Sequence, residues 1–149
     1  MNWTDAEDFC RTKGGHLASV DSYATNNFVL EGMNRRNLDY IWLGGHDIGE
    51  EGTWKWTDCA TWGFHSWAKG EPNDADDDGR NENCLELVRK WTSYGNIWND
   101  VSCVRNHPFL CSKKICPGRK FEENYMFPSL GSGVNLQNNN NNNNDKAMI

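Results

Sequence analysis

The stretch "GEPNDADDDGRNENC", residues 70–84, sets six carboxylates around a Glu-Pro-Asn tripeptide and closes on a cysteine. From Glu71 to Glu86 there are seven acids against Arg80 alone, a net of −6 that equals the formal charge of the whole chain. The rest of the protein is therefore electrically balanced. Like charges this dense repel one another, and a fold tolerates them when the run is fully solvated or when a cation sits among them. A solvated surface turn is the plain alternative, and two features count against it. Glu71 and Asn73 flank Pro72, which suits a rigid turn, a cis bond being one way to hold both side-chain oxygens on one side. A second acid-amide set, Asn99 and Asp100, lies in the strand-like "IWNDVSC" at residues 97–103.

The helix-loop-helix calcium motif does not fit. Asp74, Asp76, Asp78 and Gly79 fall at its first, third, fifth and sixth positions, but the twelfth is Leu85, where a bidentate Glu is required. Gly70 and Pro72 also stand where the entering helix belongs, and "CLELV" at residues 84–88 reads as a strand where the exiting helix belongs.

Working outward, "NWTDAEDFCRTKGG" at residues 2–15 predicts a helix. Thr4 and Glu7 form a capping-box pattern, Asp5, Glu7 and Asp8 place negative charge in the first turn, and Gly14 supplies the stop. Ala6, Phe9, Cys10 and Lys13 recur at helical spacing, which sets Cys10 on or beside the buried stripe. "DSYATNNFVLEGMNRRN" at residues 21–37 predicts a second helix begun by Asp21 or Ser22, with Ala24, Phe28, Val29 and Met33 inward. After it come "YIWLGG", "TWKWTD", "CLELV", "NIWND" and "PFLCSK", short segments rich in aromatic and aliphatic residues and separated by Gly, Asp and Asn, as antiparallel strands are. Helices followed by strands imply an α+β class. Between Asp58 and Cys84 about 25 residues show little periodicity, a length typical of functional loops, and Trp62, Phe64 and Trp67 anchor it. The acidic run lies inside this loop.

The chain of 149 residues has room for one ordinary domain, read as residues 1–116. From Pro117 on there are no tryptophans or cysteines, and an unbroken asparagine run covers Asn138 to Asn144, so residues 117–149 are expected to be a disordered tail. All eight tryptophans and six cysteines fall in the domain, a density that points to a secreted or extracellular module. Six cysteines allow fifteen pairings, and spacing alone does not choose among them. Zinc chemistry is disfavoured: no Cys-x-x-Cys occurs, and His16, His46, His65 and His107 are scattered. A pI near 5.1 without a basic stripe argues against nucleic acid, and no apolar run is long enough for membrane insertion. Trp42, Trp54, Trp56, Trp67 and Trp98 are expected in the core, with His16 and His107 structural.

"WTDAEDFC", "HLASV", "WLGG", "WKWTD", "GEPN", "ENC", "WND" and "FLC", in this order and at these separations, resemble the C-type lectin-like domain across essentially all of residues 1–116. The resemblance implies that fold, two helices with short antiparallel sheets and a long calcium-binding loop, with disulfides Cys10–Cys111 and Cys84–Cys103. It implies a primary Ca²⁺ site from Glu71, Asn73, Glu82, Asn99 and Asp100, which would also hold the sugar. It further implies an auxiliary Ca²⁺ site from Asp47, Glu51, Asp74 and Glu82, with Asn83 where the family often has Asp. The order Glu-Pro-Asn is similar to the family's signature for equatorial 3- and 4-hydroxyls, hence mannose, N-acetylglucosamine, glucose and fucose on glycans or glycoproteins. Trp91 and Tyr94, in "KWTSYGN", are candidates for a secondary sugar contact.

The chemistry explains the residue types. Calcium takes more oxygen ligands than such a protein set supplies, so two vicinal hydroxyls can complete its shell. Each hydroxyl can donate to a carboxylate and accept from an amide, as the pairs Glu71 with Asn73 and Glu82 with Asn99 offer. Three features depart from the family pattern. The chain starts at the first helix, without the strand that normally pairs with "PFLCSK", so that edge is expected to be open or the N-terminus truncated. Gly45 replaces a large aliphatic, which would loosen the core. Cys59 and Cys116 have no family partner, so they pair together, stay free, or link chains into a homo-oligomer. A glycosidase using Glu71 and Glu82 is the competing enzymatic reading, disfavoured because clustered acids flanked by amides are ligand-like. A scaffold that binds a protein surface or ice is the other alternative.

Overall fold

The structure, a computed structural model, describes residues 1–75, 79–89, 98–113 and 125–126. Helix α1 spans Trp3–Thr12 and α2 spans Tyr23–Arg36. The strands are β1 (His16–Leu17), β2 (Tyr40–His46), β3 (Lys55–Trp56), β4 (Cys84–Val88), β5 (Trp98–Val101), β6 (Cys111–Ser112) and β7 (Tyr125–Met126). They form two antiparallel sheets, ordered β3-β2-β4-β5 and β1-β6-β7, in the α+β arrangement expected. Among the described residues no helix is long and apolar enough to cross a membrane.

The four-stranded sheet is covered on both faces, which is why β4 is buried at every position instead of alternating. Ile41, Leu43, Leu85, Leu87 and Trp98 point to one side and pack with Val29 and Met33 of α2. Trp42, Cys84 and Val101 point to the other and pack with Trp3, Ala6 and Cys10 of α1. The period-two rule thus sends alternate residues of each strand to different cores. Trp42, Trp54, Trp56 and Trp98 are buried and Trp67 is half-buried against the same cluster. Trp62, Phe64 and Trp67 anchor the long loop there as expected, Trp62 lying 4.8 Å from Trp56 and Phe64 packing edge-on to Trp98.

Cys10–Cys111 ties α1 to β6 and Cys84–Cys103 closes the turn after β5. Each such crosslink contributes about 2–4 kcal/mol, chiefly by restricting the unfolded chain. Cys59 is also disulfide-bonded, which removes the free-thiol alternative for it. Cys116 lies outside the described residues.

Several local expectations are corrected. The cap of α1 is Asn2, whose side chain accepts from the Asp5 amide at 2.9 Å, and not Thr4. Both positions satisfy the pattern of a short polar residue three before an acid, and the earlier one wins because Glu7 is used elsewhere. Glu7 accepts from the Leu17 amide at 2.8 Å and meets His16 Nδ1 at 2.7 Å, holding β1 onto the helix. Ala24 is exposed; the inward stripe of α2 is Asn26, Val29 and Met33, with Asn26 accepting from the Trp98 indole at 2.9 Å. Gly45 does not loosen the core. A Cβ there would stand 2.9 Å from Leu85 Cδ1 and 3.3 Å from Trp56, so those side chains already fill the space. The free edge of β6 is not open either: β7, inside the stretch expected to be disordered tail, pairs with it through Cys111↔Met126 and Ser112↔Tyr125. The rest of that tail lies outside the described residues.

Candidate functional site

The site sits where the long loop returns to the end of β5. Gly70, with φ of 99°, turns the chain into Glu71-Pro72, whose peptide bond is cis. The Glu71 amide is fixed by the Ala68 carbonyl at 3.0 Å, and Ala68 in turn bonds to the Trp98 carbonyl at 2.8 Å. The loop is therefore stitched to β5 just before the Asn99-Asp100 pair.

Asp100 is buried and organises the loop. It accepts from the Asn73 amide at 2.9 Å and from the Asp74 amide at 2.8 Å. Asp74 adopts φ of 48° and its carboxylate accepts from the Glu82 amide at 2.6 Å. Ala75 closes the ring, donating to Asn73 Oδ1 at 2.7 Å and to Glu82 Oε2 at 3.1 Å. Glu71, Asn73, Asp74, Glu82 and Asp100 are thereby gathered into one cluster.

Its electrostatics are unresolved internally. Glu71 Oε2 is buried without a hydrogen-bond donor. Burial, followed by contact with the Asp100 carboxyl and the charge of Glu82, pushes Glu71 up to about 7. Two carboxyls in contact in a partly desolvated place can be reconciled by a shared proton or by a cation. This donor set, hard oxygens from carboxylates and an amide, fits calcium.

Asn99 is placed differently from Asp100. It is one residue earlier on β5, hence on the opposite face, directly across from Glu86 of β4. Its Nδ2 donates to Glu86 Oε1 at 3.1 Å. Glu86 was visible in the sequence as one more acid; its position beside Asn99 could have been read from the alternation in "CLELV", which puts Glu86 on the same buried face as Cys84.

The auxiliary set assembles around Asp47, which is 0% exposed. Asp47 Oδ1 accepts from Asn83 Nδ2 at 3.0 Å and Oδ2 accepts from the Gly52 amide at 2.9 Å, so both oxygens already have protein donors. Exposed Glu51 lies at the rim, its carboxyl raised by desolvation and then by Asp47 and Asp74. Among the described residues no group of three or more His, Cys, Asp or Glu is set to hold a metal, in the Glu71 and Asp100 cluster as in this one, so the fit of the first cluster to calcium lies in its donor types. Asp76, Trp91 and Tyr94 lie outside the described residues.

The Lectin C-type domain matches residues 1–113. The chain belongs to the C-type lectin family. A C-type lectin of Cerberus rynchops is 37% identical over 118 residues, covering 76% of this chain and 71% of that protein. The galactose-specific lectin nattectin of Thalassophryne nattereri is 36% identical over 121 residues, covering 77% and 69%. Among solved structures, the carbohydrate-recognition domain of cow CD23, crystallised with a GlcNAc2Man3 oligosaccharide, superposes with a TM-score of 0.63 at 29% identity, covering 74% of this chain and 78% of that one. A calcium-independent type II antifreeze protein shares the fold at a TM-score of 0.61 and 27% identity, covering 74% and 77%. This C-type lectin domain therefore has one relative named as galactose-specific and one structural neighbour named as a calcium-independent antifreeze protein.

Proposed function

We propose that the protein is a secreted recognition module that binds mannose-type glycans through one Ca²⁺, and that it is not an enzyme. The observation that carries the reading is the contact of half-buried Glu71 with buried Asp100, with Glu71 Oε2 lacking a donor and its carboxyl raised to about 7. Glu71, Asn73, Glu82 and Asp100 would hold the ion, and Asn99, whose side chain leaves β5 on the other face, would reach it past the outer edge of that strand. When bound, the cation supplies open coordination positions to two vicinal sugar hydroxyls.

The remaining work belongs to the side chains. Carboxylates of Glu71 and Glu82 accept hydroxyl protons, and the amides of Asn73 and Asn99 donate to the hydroxyl oxygens. In the Glu-Pro-Asn order the acceptor precedes the donor across the ion, which selects equatorial 3- and 4-hydroxyls. The cluster already holds its own backbone: four amide contacts onto Asp100, Asp74 and Glu82 fix the loop before ligand arrives. Such preorganisation reduces the ordering cost of binding. A lone monosaccharide on an open site binds at about millimolar strength, so tight capture of glycoproteins needs several sites presented together, as in a homo-oligomer.

A glycan array run in calcium and again in EDTA tests this. Signal on mannose, N-acetylglucosamine or fucose ligands that vanishes in EDTA is expected. Galactose-dominated binding refutes the selectivity, binding that survives EDTA refutes the role of the ion, and a blank array with intact calcium binding favours a protein surface or ice as the target of the scaffold.

A further inference from the structure

Glu86 is 4% exposed, an acid in the middle of a strand buried at every position. A buried carboxylate is costly unless its oxygens are satisfied. Here Oε1 accepts from Asn99 Nδ2 at 3.1 Å, and Oε2 stands 3.0 Å from His107 Nε2, off the line of a good hydrogen bond. His107 is itself wedged. Its ring lies 4.4 Å from Trp42 and stacks at 5.7 Å over Tyr40, and its backbone bonds to Met1 in both directions, at 3.0 and 3.2 Å. Trp42, Glu86 and Asn99 occupy one row across β2, β4 and β5. The acid is therefore gripped from behind and touches Asn99 in front.

A carboxylate only accepts, so the side of Asn99 that meets Glu86 must be its NH₂. The amide oxygen diverges from the same carbon and is left facing away from Glu86. We propose that Glu86 is a positioning residue that fixes the amide of Asn99 with its oxygen available to the cation and its second N–H available to a hydroxyl. The proposal rests on the calcium reading above. Without Glu86 the amide has no reason to prefer one orientation over its flip, and a flipped amide offers the ion a donor in place of a ligand. Outer contacts of this kind typically govern metal affinity by about 10- to 100-fold.

The test uses the whole chain with calcium and with Tb³⁺ as a luminescent probe of bound water. Glu86→Leu should weaken calcium about tenfold or more and add about one water to the Tb³⁺ shell. Glu86→Gln keeps an acceptor for Asn99 Nδ2, so it should stay within about threefold of the unaltered chain and add no water. A purely structural role would lower melting in EDTA for Glu86→Leu and leave Tb³⁺ hydration alone, and that result overturns the proposal. Equal losses in both variants would assign the effect to charge and overturn it too. If Glu86→Leu does not fold, the side-chain amide of Asn99 in the unaltered chain decides by NMR: it should stay bonded to Glu86 before and after calcium, and release on calcium addition contradicts the assignment. Failure of the unaltered chain to bind calcium overturns the proposed function and this inference together, whereas equal affinity in the unaltered chain and Glu86→Leu overturns this inference alone.

Discussion

Two acidic clusters border the long loop, each a buried aspartate met by a glutamate, and they differ in how far that glutamate is withdrawn from water. Around Asp47, each carboxylate oxygen of the buried acid meets a protein N–H, from Asn83 and from Gly52. Around Asp100, the buried acid also receives amides, and the carboxyl that meets it, Glu71, is half-buried and keeps an oxygen without a donor. In the first cluster the buried acid is satisfied, and the carboxyl that meets it, Glu51, is exposed to solvent. The second is complete only with a proton or a cation. Counting acids in the sequence cannot separate them, because Asp47 and Asp100 look alike there. The difference lies in whether neighbouring donors match the acceptors, and in particular in Asn83 offering an NH₂ where an Asp would offer more negative charge.

The most severe way to break the comparison is Asp100→Ala. It removes the acceptor for Asn73 and Asp74 and one of the proposed ligands, so calcium binding should be lost by more than about 100-fold in isothermal titration. Retained affinity would mean that the ion, if any, sits elsewhere. Next in size is the double change Glu71→Gln with Asn73→Asp, which conserves net charge and ligand count. Calcium should bind nearly as before while competition by free sugars shifts from mannose toward galactose, by one or two hydrogen bonds, about 1–3 kcal/mol. An unaltered chain that already prefers galactose would remove these two residues as the selecting pair.

A smaller effect comes from pH. Glu71 is raised from 4.5 to about 7, so in the metal-free fold it holds its proton more tightly than in the unfolded chain. That contribution is fully present below 4.5 and is lost as pH rises through about 7. Calcium must displace the same proton, so its affinity should be level above pH 7 and decline by up to about tenfold per unit below it. A flat profile between pH 5 and pH 7 would contradict the contact with Asp100. The smallest effect sharpens the other side of the comparison. Asp47→Ala should leave the number of bound calcium ions unchanged and lower melting stability by about 1–3 kcal/mol, since two donors lose their acceptor. Loss of a bound ion in that variant would mean that the Asp47 cluster holds metal after all.

Much of the fold was legible because its signals are local. Turn residues, short aromatic strands and helical spacing set the order of elements, and the string of motifs from "WTDAEDFC" to "FLC" set the family. What was not legible depended on tertiary placement. Thr4 loses the cap to Asn2 because β1 occupies Glu7. Gly45 is explained only when Leu85 and Trp56 are seen filling its space. Nothing in a polar tail announces that Tyr125–Met126 will pair with β6. In the site, the resemblance named Glu71, Asn73, Glu82 and Asp100 as a set and the hydrogen bonds of the loop show how they are held, while the partnership of Asn99 with Glu86 needed the register of β4 against β5.

The central claim is that the Glu71 and Asp100 cluster is finished by one calcium ion. Calcium titration of the unaltered chain, read by heat and by thermal melting, tests it most directly. One ion per chain with a Kd of about 10⁻⁴ to 10⁻³ M is expected, and at about a hundred times Kd the fold should gain about 2.7 kcal/mol over EDTA. No heat of binding and identical melting in calcium and EDTA would reduce the acidic run to a solvated turn and contradict the account.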